Sequence, residues 1–216
     1  MNRTTTVSLR LVAVLLLAGA ATALANLVAN PSFETGEGIP TDWWTSAVWG
    51  GDHAGTGWTY INNGTPGVDT YEGSRSVTLS HPAMNDERWY LNTGGFAVTP
   101  GETLVYSAYI KTANFDADDS ILISMDYYNS GHGYAGEGFY AQSFGNGDWR
   151  QLTVTGVVPD GVSYVAPLLR FFTGTNGTSP ANSSVIFDAV SVVPEPASLL
   201  VLAAGAALLA ARRRRS

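Results

Sequence analysis

Between Asn26 and Val193 no apolar spacing of helical period persists, and this constrains the fold more than any single motif. Strand signals recur instead, over residues 76–80, 89–92, 95–99, 103–112, 120–128, 139–144, 149–158, 163–172 and 184–192. Clusters of Gly, Pro, Asn and Asp lie between them. Residues 103–112 alternate, which places Leu104, Tyr106, Ala108 and Ile110 on one face of a strand. Residues 120–128 do the same with Ile121, Ile123, Met125 and Tyr127. Pro100-Gly101 and Pro159-Asp160-Gly161 are turn sequences. About nine short strands with turns between them predict an all-β fold, a two-sheet antiparallel sandwich. Residues 26–71 are looser and hold Trp43, Trp44, Trp49 and Trp58; they read as a first strand followed by long loops.

The two ends have a different character. Arg3 and Arg10 precede an apolar stretch from Leu11 to Ala18, and small residues follow as far as Ala23-Leu24-Ala25. A basic start, an apolar core and a small-x-small site make residues 1–25 a signal peptide, cleaved between Ala25 and Asn26. At the other end Pro194-Glu195-Pro196 breaks any strand or helix. An uncharged run rich in Ala and Leu, residues 197–211, follows and favours helix. It is shorter than the ~17–25 residues of an ordinary bilayer span. Arg212 to Arg215 close it, a basic cluster that stays on the cytoplasmic side. The order of an accessible break, a marginal span and a basic stop resembles the PEP-CTERM sorting signal. That resemblance implies recognition near Pro194, Glu195 and Pro196 by a membrane-bound processing protease, an exosortase. It also implies transient residence in the inner membrane through the C-terminal helix, and export to the cell surface or matrix of a Gram-negative bacterium. The expected organisation is a signal peptide at 1–25, a single domain at 26–193 and a sorting signal at 194–216.

A body of this length buries a full core without covalent staples. The chain has no cysteine, so neither disulfides nor cysteine metal sites hold it. The body carries only Arg75, Arg88, Lys111, Arg150 and Arg170 as basic residues, against every acidic residue of the chain except Glu195. Its net charge is therefore more negative than the −7 of the whole chain. This excludes a nucleic-acid partner bound through a basic patch, and leaves divalent cations and neutral ligands.

A second resemblance rests on the order of several short segments. Asn26-Leu27-Val28-Ala29-Asn30-Pro31-Ser32-Phe33-Glu34 opens the body, and Pro40 and Trp43 follow. Next come Tyr71 to Leu79, Val98 to Leu104, Ser107 to Thr112 and Trp149 to Thr155, and Val185 to Val192 closes it. Together they look like the galactose-binding-like jelly-roll carbohydrate-binding modules, over nearly the whole body. The resemblance implies an antiparallel jelly-roll β-sandwich. It also implies a structural calcium whose carboxylates are Glu34 and Asp188, with carbonyls around Gly73 and Ser74. Without a cation, Glu34 is a turn or cap residue and Asp188 a carboxylate bonded to backbone amides. The acidic stretch Asn114, Asp116, Asp118, Asp119 lacks the glycine and glutamate of a calcium loop and reads as a solvated hairpin tip.

A sugar site needs exposed aromatic faces beside polar groups. The candidates are Trp44, Trp49, Trp58, Tyr60, Trp89, Tyr90, Tyr127, Tyr128 and Tyr134, of which Trp44, Trp58, Trp89 and Tyr128 are selected as ligand-binding residues. Trp43, Trp149, Tyr106 and Phe187 are assigned to packing. No hydrolase or zinc-protease motif is present, and His53, His81 and His132 each lie in a polar, turn-rich stretch. The expectation is a non-enzymatic exported protein that binds polysaccharide. The alternatives are a structural or adhesive matrix protein with no sugar site, and a glycan-active hydrolase with two convergent carboxylates.

Overall fold

A computed structural model describes residues 25–45, 58–81, 87–93, 95–173 and 183–195. The signal-peptide core, Pro196 and the apolar run lie outside the described residues, as do Trp49 and His53. The described residues contain no helix, and hence none that could cross a membrane.

Residues Asn26–Val193 form one compact unit. In chain order its strands are β1 (Gly36–Glu37), β2 (Ile39–Pro40), β3 (Trp43–Thr45), β4 (Trp58–Ile61), β5 (Ser76–His81) and β6 (Glu87–Asn92). Then follow β7 (Phe96–Ala97), β8 (Thr103–Ala113), β9 (Ser120–Tyr128), β10 (Tyr134–Phe144), β11 (Gly147–Val157), β12 (Tyr164–Phe172) and β13 (Ser183–Pro194). One sheet has six strands in the order β10-β9-β12-β6-β3, with β7 beside β12. The other has five, in the order β11-β8-β13-β5-β4. Strands β1 and β2 form a small separate hairpin. This is the two-sheet antiparallel sandwich that the alternating segments predict, in the jelly-roll form that the resemblance implies.

The alternation decides which side chains enter the core. Leu104, Tyr106, Ala108 and Ile110 of β8 are wholly buried, as are Ile121, Ile123 and Met125 of β9. Val165, Leu169 and Phe171 of β12 and Val185 and Phe187 of β13 complete the layer between the sheets. Each large side chain so buried contributes on the order of 1.5–3 kcal/mol. Two phenols cross from one sheet to the other. Tyr106 donates to the carbonyl of Leu168 (3.2 Å) and Tyr90 to that of Thr59 (3.4 Å). Trp43 is wholly buried and donates its indole N–H to the Asn30 carbonyl, whereas Trp149 is only half-buried.

The first residues of the body fasten to the last strand. Leu27 N–H donates to the Val192 carbonyl, and the Asn26 side chain bonds both the Val190 carbonyl (2.8 Å) and the Val192 N–H (2.9 Å). The acidic stretch before β9 differs from the expected solvated tip. Phe115 enters the core and stacks on Phe171 at 4.8 Å, drawing the loop inward. Asp119 is consequently buried, and its carboxylate accepts from the Asp116 N–H (3.0 Å).

Candidate functional site

The outer face of the six-stranded sheet is set by the same alternation. Tyr127 points into the core, so its neighbour Tyr128 points out. Register then aligns residues from five strands on this face. Tyr134 stands opposite Tyr128, and Glu137 opposite Asp126. Tyr164, Leu168 and Arg170 of β12 lie beside Tyr128, Ser124 and Leu122 of β9. Arg170 pairs with Trp89, Leu168 with Leu91, and Leu91 with Trp44. Three of the four selected aromatics, Trp44, Trp89 and Tyr128, thus share one face. Trp44 is 44% exposed there. Trp58 belongs to β4 of the other sheet, opposite Leu79, and its side chain lies outside the described residues. Tyr60 and Tyr90, also candidates in the sequence, are buried.

Two adjoining clefts form a groove on this face. The first has a volume of about 530 Å³; Trp89, Tyr128 and Tyr134 supply aromatic walls, Leu91 and Leu168 the floor, and His132 one end. The second, about 480 Å³, is flanked by Tyr140, Gln142 and Phe172. Glu137 and Arg170 line both. They form an ion pair between the clefts, and the Arg170 guanidinium lies 4.8 Å from the centre of the Phe172 ring. Leu91, Ala166 and Leu168 are buried on this outer side with Trp89 and Tyr128 packed against them, so the rings stand on an apolar base. Tyr128 meets Tyr134 edge to face at 5.9 Å, and His132 stacks on Tyr164 at 4.2 Å.

Two phenols of the groove are raised above their ordinary value. Burial, with the Asp126 carboxylate beside it, pushes the Tyr128 phenol up to about 12. Tyr134 is raised by the same causes, with Glu137 adding to them and Arg170 opposing. Neutral rings can stack against apolar C–H faces and exchange hydrogen bonds at their rims. Among the groove residues, Tyr134 belongs to the sequence candidates but not to the selected four. Tyr140, Glu137, Arg170 and Phe172 are not among the candidates. Tyr134 and Tyr140 are 63% and 58% exposed. Alternation along 139–144 could have put Tyr140 on a solvent face. The Glu137–Arg170 pair, joined across strands, has no sequence signal.

Glu34 and Asp188 act on one loop, residues 71–75, on the five-stranded side. Asp188 is wholly buried; one carboxylate oxygen accepts from Tyr71 N–H (2.8 Å) and Glu72 N–H (3.1 Å), the other from Ala189 N–H (2.7 Å). Glu34 Oε1 accepts from Ser74 N–H (2.9 Å) and Arg75 N–H (3.0 Å), and Oε2 from the Ser74 hydroxyl (3.2 Å). Gly73 sits between them with φ +60°, and a Cβ there would lie 2.1 Å from Glu34 Oε1. Tyr71 caps the loop by stacking on Tyr109, ring centres 3.5 Å apart. Burial pushes the Asp188 carboxyl up to about 7, against the pull of its three amide bonds. The donors are of the type calcium takes, because Asp188 Oδ1 and Glu34 Oε2 each keep a lone pair. Among the described residues no three His, Asp or Glu side chains gather as a metal site.

Comparison with known proteins places these features. The body resembles, at 14% identity and TM-score 0.55, a Stig cyclase, Fisc, from Fischerella sp. TAU, over 81% of this chain and 99% of that one. It resembles a family 16 carbohydrate-binding module at 16% identity and TM-score 0.50, over 78% of this chain and 99% of the module. It also resembles the enzymatically active domain of tailspike protein 4 of bacteriophage CBA120, at 16% identity and TM-score 0.53. That likeness covers 79% of this chain, which spans only 21% of the tailspike chain. No curated protein matches the chain. Residues 192–215 match the PEP-CTERM protein-sorting motif. The protein thus joins a jelly-roll body of the fold found in carbohydrate-binding modules to a PEP-CTERM motif, the mark of an exported protein sorted to the cell envelope.

Proposed function

We propose that the protein is an exported, non-enzymatic polysaccharide-binding protein, and that the groove over the six-stranded sheet holds the glycan. The observation that carries this reading is the shared placement of Trp44, Trp89 and Tyr128 on one outer face, beside Tyr134, Tyr140 and the polar groups of the groove. Sugar C–H faces stack on such rings, while their hydroxyls bond to the carboxylate, guanidinium and amide groups between them. The groove is open and runs along β9, from Tyr128 in the first cleft to Ser120 in the second, which suits an extended chain rather than a small molecule. A hydrolytic role has less support. Hydrolysis of a glycoside needs one carboxyl held as an acid, and Glu137 is ion-paired to Arg170 while Asp126 is bonded to Tyr128. The producer's own exopolysaccharide is the ligand nearest to hand for a protein sorted to the envelope. An exosortase acts near Pro194-Glu195-Pro196 while the C-terminal run rests in the inner membrane. A calcium ion shared by Glu34 and Asp188 belongs to the same reading, supported by a buried carboxyl whose bonds are to backbone amides and whose charge a cation would stabilise.

Affinity electrophoresis of the body tests the groove. Each stacked ring is expected to contribute on the order of 1–3 kcal/mol, so Trp89→Ala should weaken retention by a binding polysaccharide about tenfold. Trp44→Ala, at the margin of the groove, should weaken it less. Wild-type retention by both variants would refute the assignment.

A further inference from the structure

A bar crosses the groove. Glu137 comes from the edge strand β10 and Arg170 from β12, with β9 between them, so their ion pair passes over β9. Register fixes its path. Glu137 is opposite Asp126 and Arg170 opposite Leu122, and Ser124 lies midway between those two on the same face of β9. Ser124 is wholly buried although it faces outward, and its hydroxyl has no hydrogen-bond partner among the described residues. Its cross-strand neighbours are Tyr140 of β10 and Leu168 of β12, and the bar runs between the positions that flank it.

Arg170 is the only Lys or Arg lining either cleft among the described residues. Lys111 pairs with Asp148 on the other sheet, Arg75 bonds Gly36 and Tyr60, and Arg150 bonds Thr112, Ser143 and Gly145. The Arg170 guanidinium is fixed by the Phe172 ring on one side and Glu137 on another. A planar guanidinium in such a groove is the natural partner of a sugar carboxylate. Here Glu137, a carboxylate of the protein itself, occupies it.

We propose that the Glu137–Arg170 bar is a charge filter that sets the class of polysaccharide the groove accepts: neutral chains enter and polyuronates are refused. This rests on the reading of the groove as a polysaccharide site. A uronate reaching Arg170 must displace Glu137, and the displaced carboxylate is then left beside Asp126 in an acidic body. A neutral sugar hydroxyl bonds at the rim of the bar without breaking it.

Glu137→Gln removes the charge and keeps the shape; Glu137→Ala removes both. Both variants and the wild type are run in gels containing xylan, hydroxyethylcellulose or polygalacturonate, at low and high salt. The wild type is expected to be retarded by a neutral polymer and to run freely in polygalacturonate. In both variants the ratio of polygalacturonate to neutral retention should rise at least about fivefold, and the rise should shrink at high salt. The double variant E137Q/R170Q should lose the rise. An unchanged ratio in both variants, or a loss of all binding with no gain for polygalacturonate, overturns the filter while the groove reading stands on the wild type. Equal wild-type retention by neutral and acidic polymers also overturns it. If no neutral polymer retards the wild type, the groove reading falls and the filter falls with it.

Discussion

Asp188 makes a quantitative prediction about pH. It is wholly buried beneath the 71–75 loop, and burial raises its folded-state pKa from 3.8 to about 7. The folded state therefore binds this proton more tightly than the unfolded chain. The contribution to stability is fully present below the unfolded pKa and is lost as pH rises through the folded one. The span between 3.8 and about 7 corresponds to on the order of 4 kcal/mol at ~1.4 kcal/mol per pH unit. For a domain of this size that is a fall in melting temperature of about 10 °C. The assay is thermal unfolding of the body from pH 4 to pH 8 in chelator, for wild type and Asp188→Asn. The other carboxylates also repel one another more as pH rises, so the wild-type slope minus the variant slope isolates Asp188. Asp188→Asn keeps an acceptor for the loop amides and does not titrate. Calcium in excess should stabilise the wild type near neutral pH by mass action and flatten its slope. If wild-type stability instead rises relative to the variant between pH 4 and 7, the three amide bonds outweigh burial, the folded pKa lies below 3.8, and the reasoning is wrong.

Two further outcomes are expected. Gly73→Ala forces a Cβ onto Glu34 Oε1 at positive φ; Glu34 must swing away from Ser74 and Arg75, at a cost of about 1–3 kcal/mol. The same substitution in a Glu34→Ala background should cost only the backbone strain, as a double-mutant cycle of melting curves would read. Intact-mass analysis of the exported form should give an N-terminus at Asn26 and a chain lacking Arg212–Arg215; recovery of that tail outside the inner membrane would refute the processing.

The sandwich was legible because its strands alternate cleanly. Residues 103–112 and 120–128 each have one apolar face, and burial on those faces is what pairs the sheets. Tyr128 could be assigned outward from the inward Tyr127 for the same reason. The sheet to which Trp58 belongs could not be read, because β4 is placed by its pairing with β5 rather than by its own pattern. The bar across the groove was hidden likewise, since Glu137 and Arg170 meet only through the pairing of β10, β9 and β12. Asp119 was misassigned to solvent because the charge of the stretch dominates its appearance, while the single Phe115 determines its course. For Asp188 the sequence left two readings open. The geometry supplies the amide bonds of one without removing the lone pair that the other requires.

The fastening of Asn26 and Leu27 to the end of β13 has a mechanical consequence. The chain enters and leaves the body at neighbouring points, on a strand flanked by β8 on one side and β5 on the other. Tension applied at Val193 does not peel a free edge. It acts along a strand paired to β8 and, over Ser183–Phe187, to β5. Val185, Phe187, Val190 and Val192 of that strand are buried in the core, so these side chains must leave the core together.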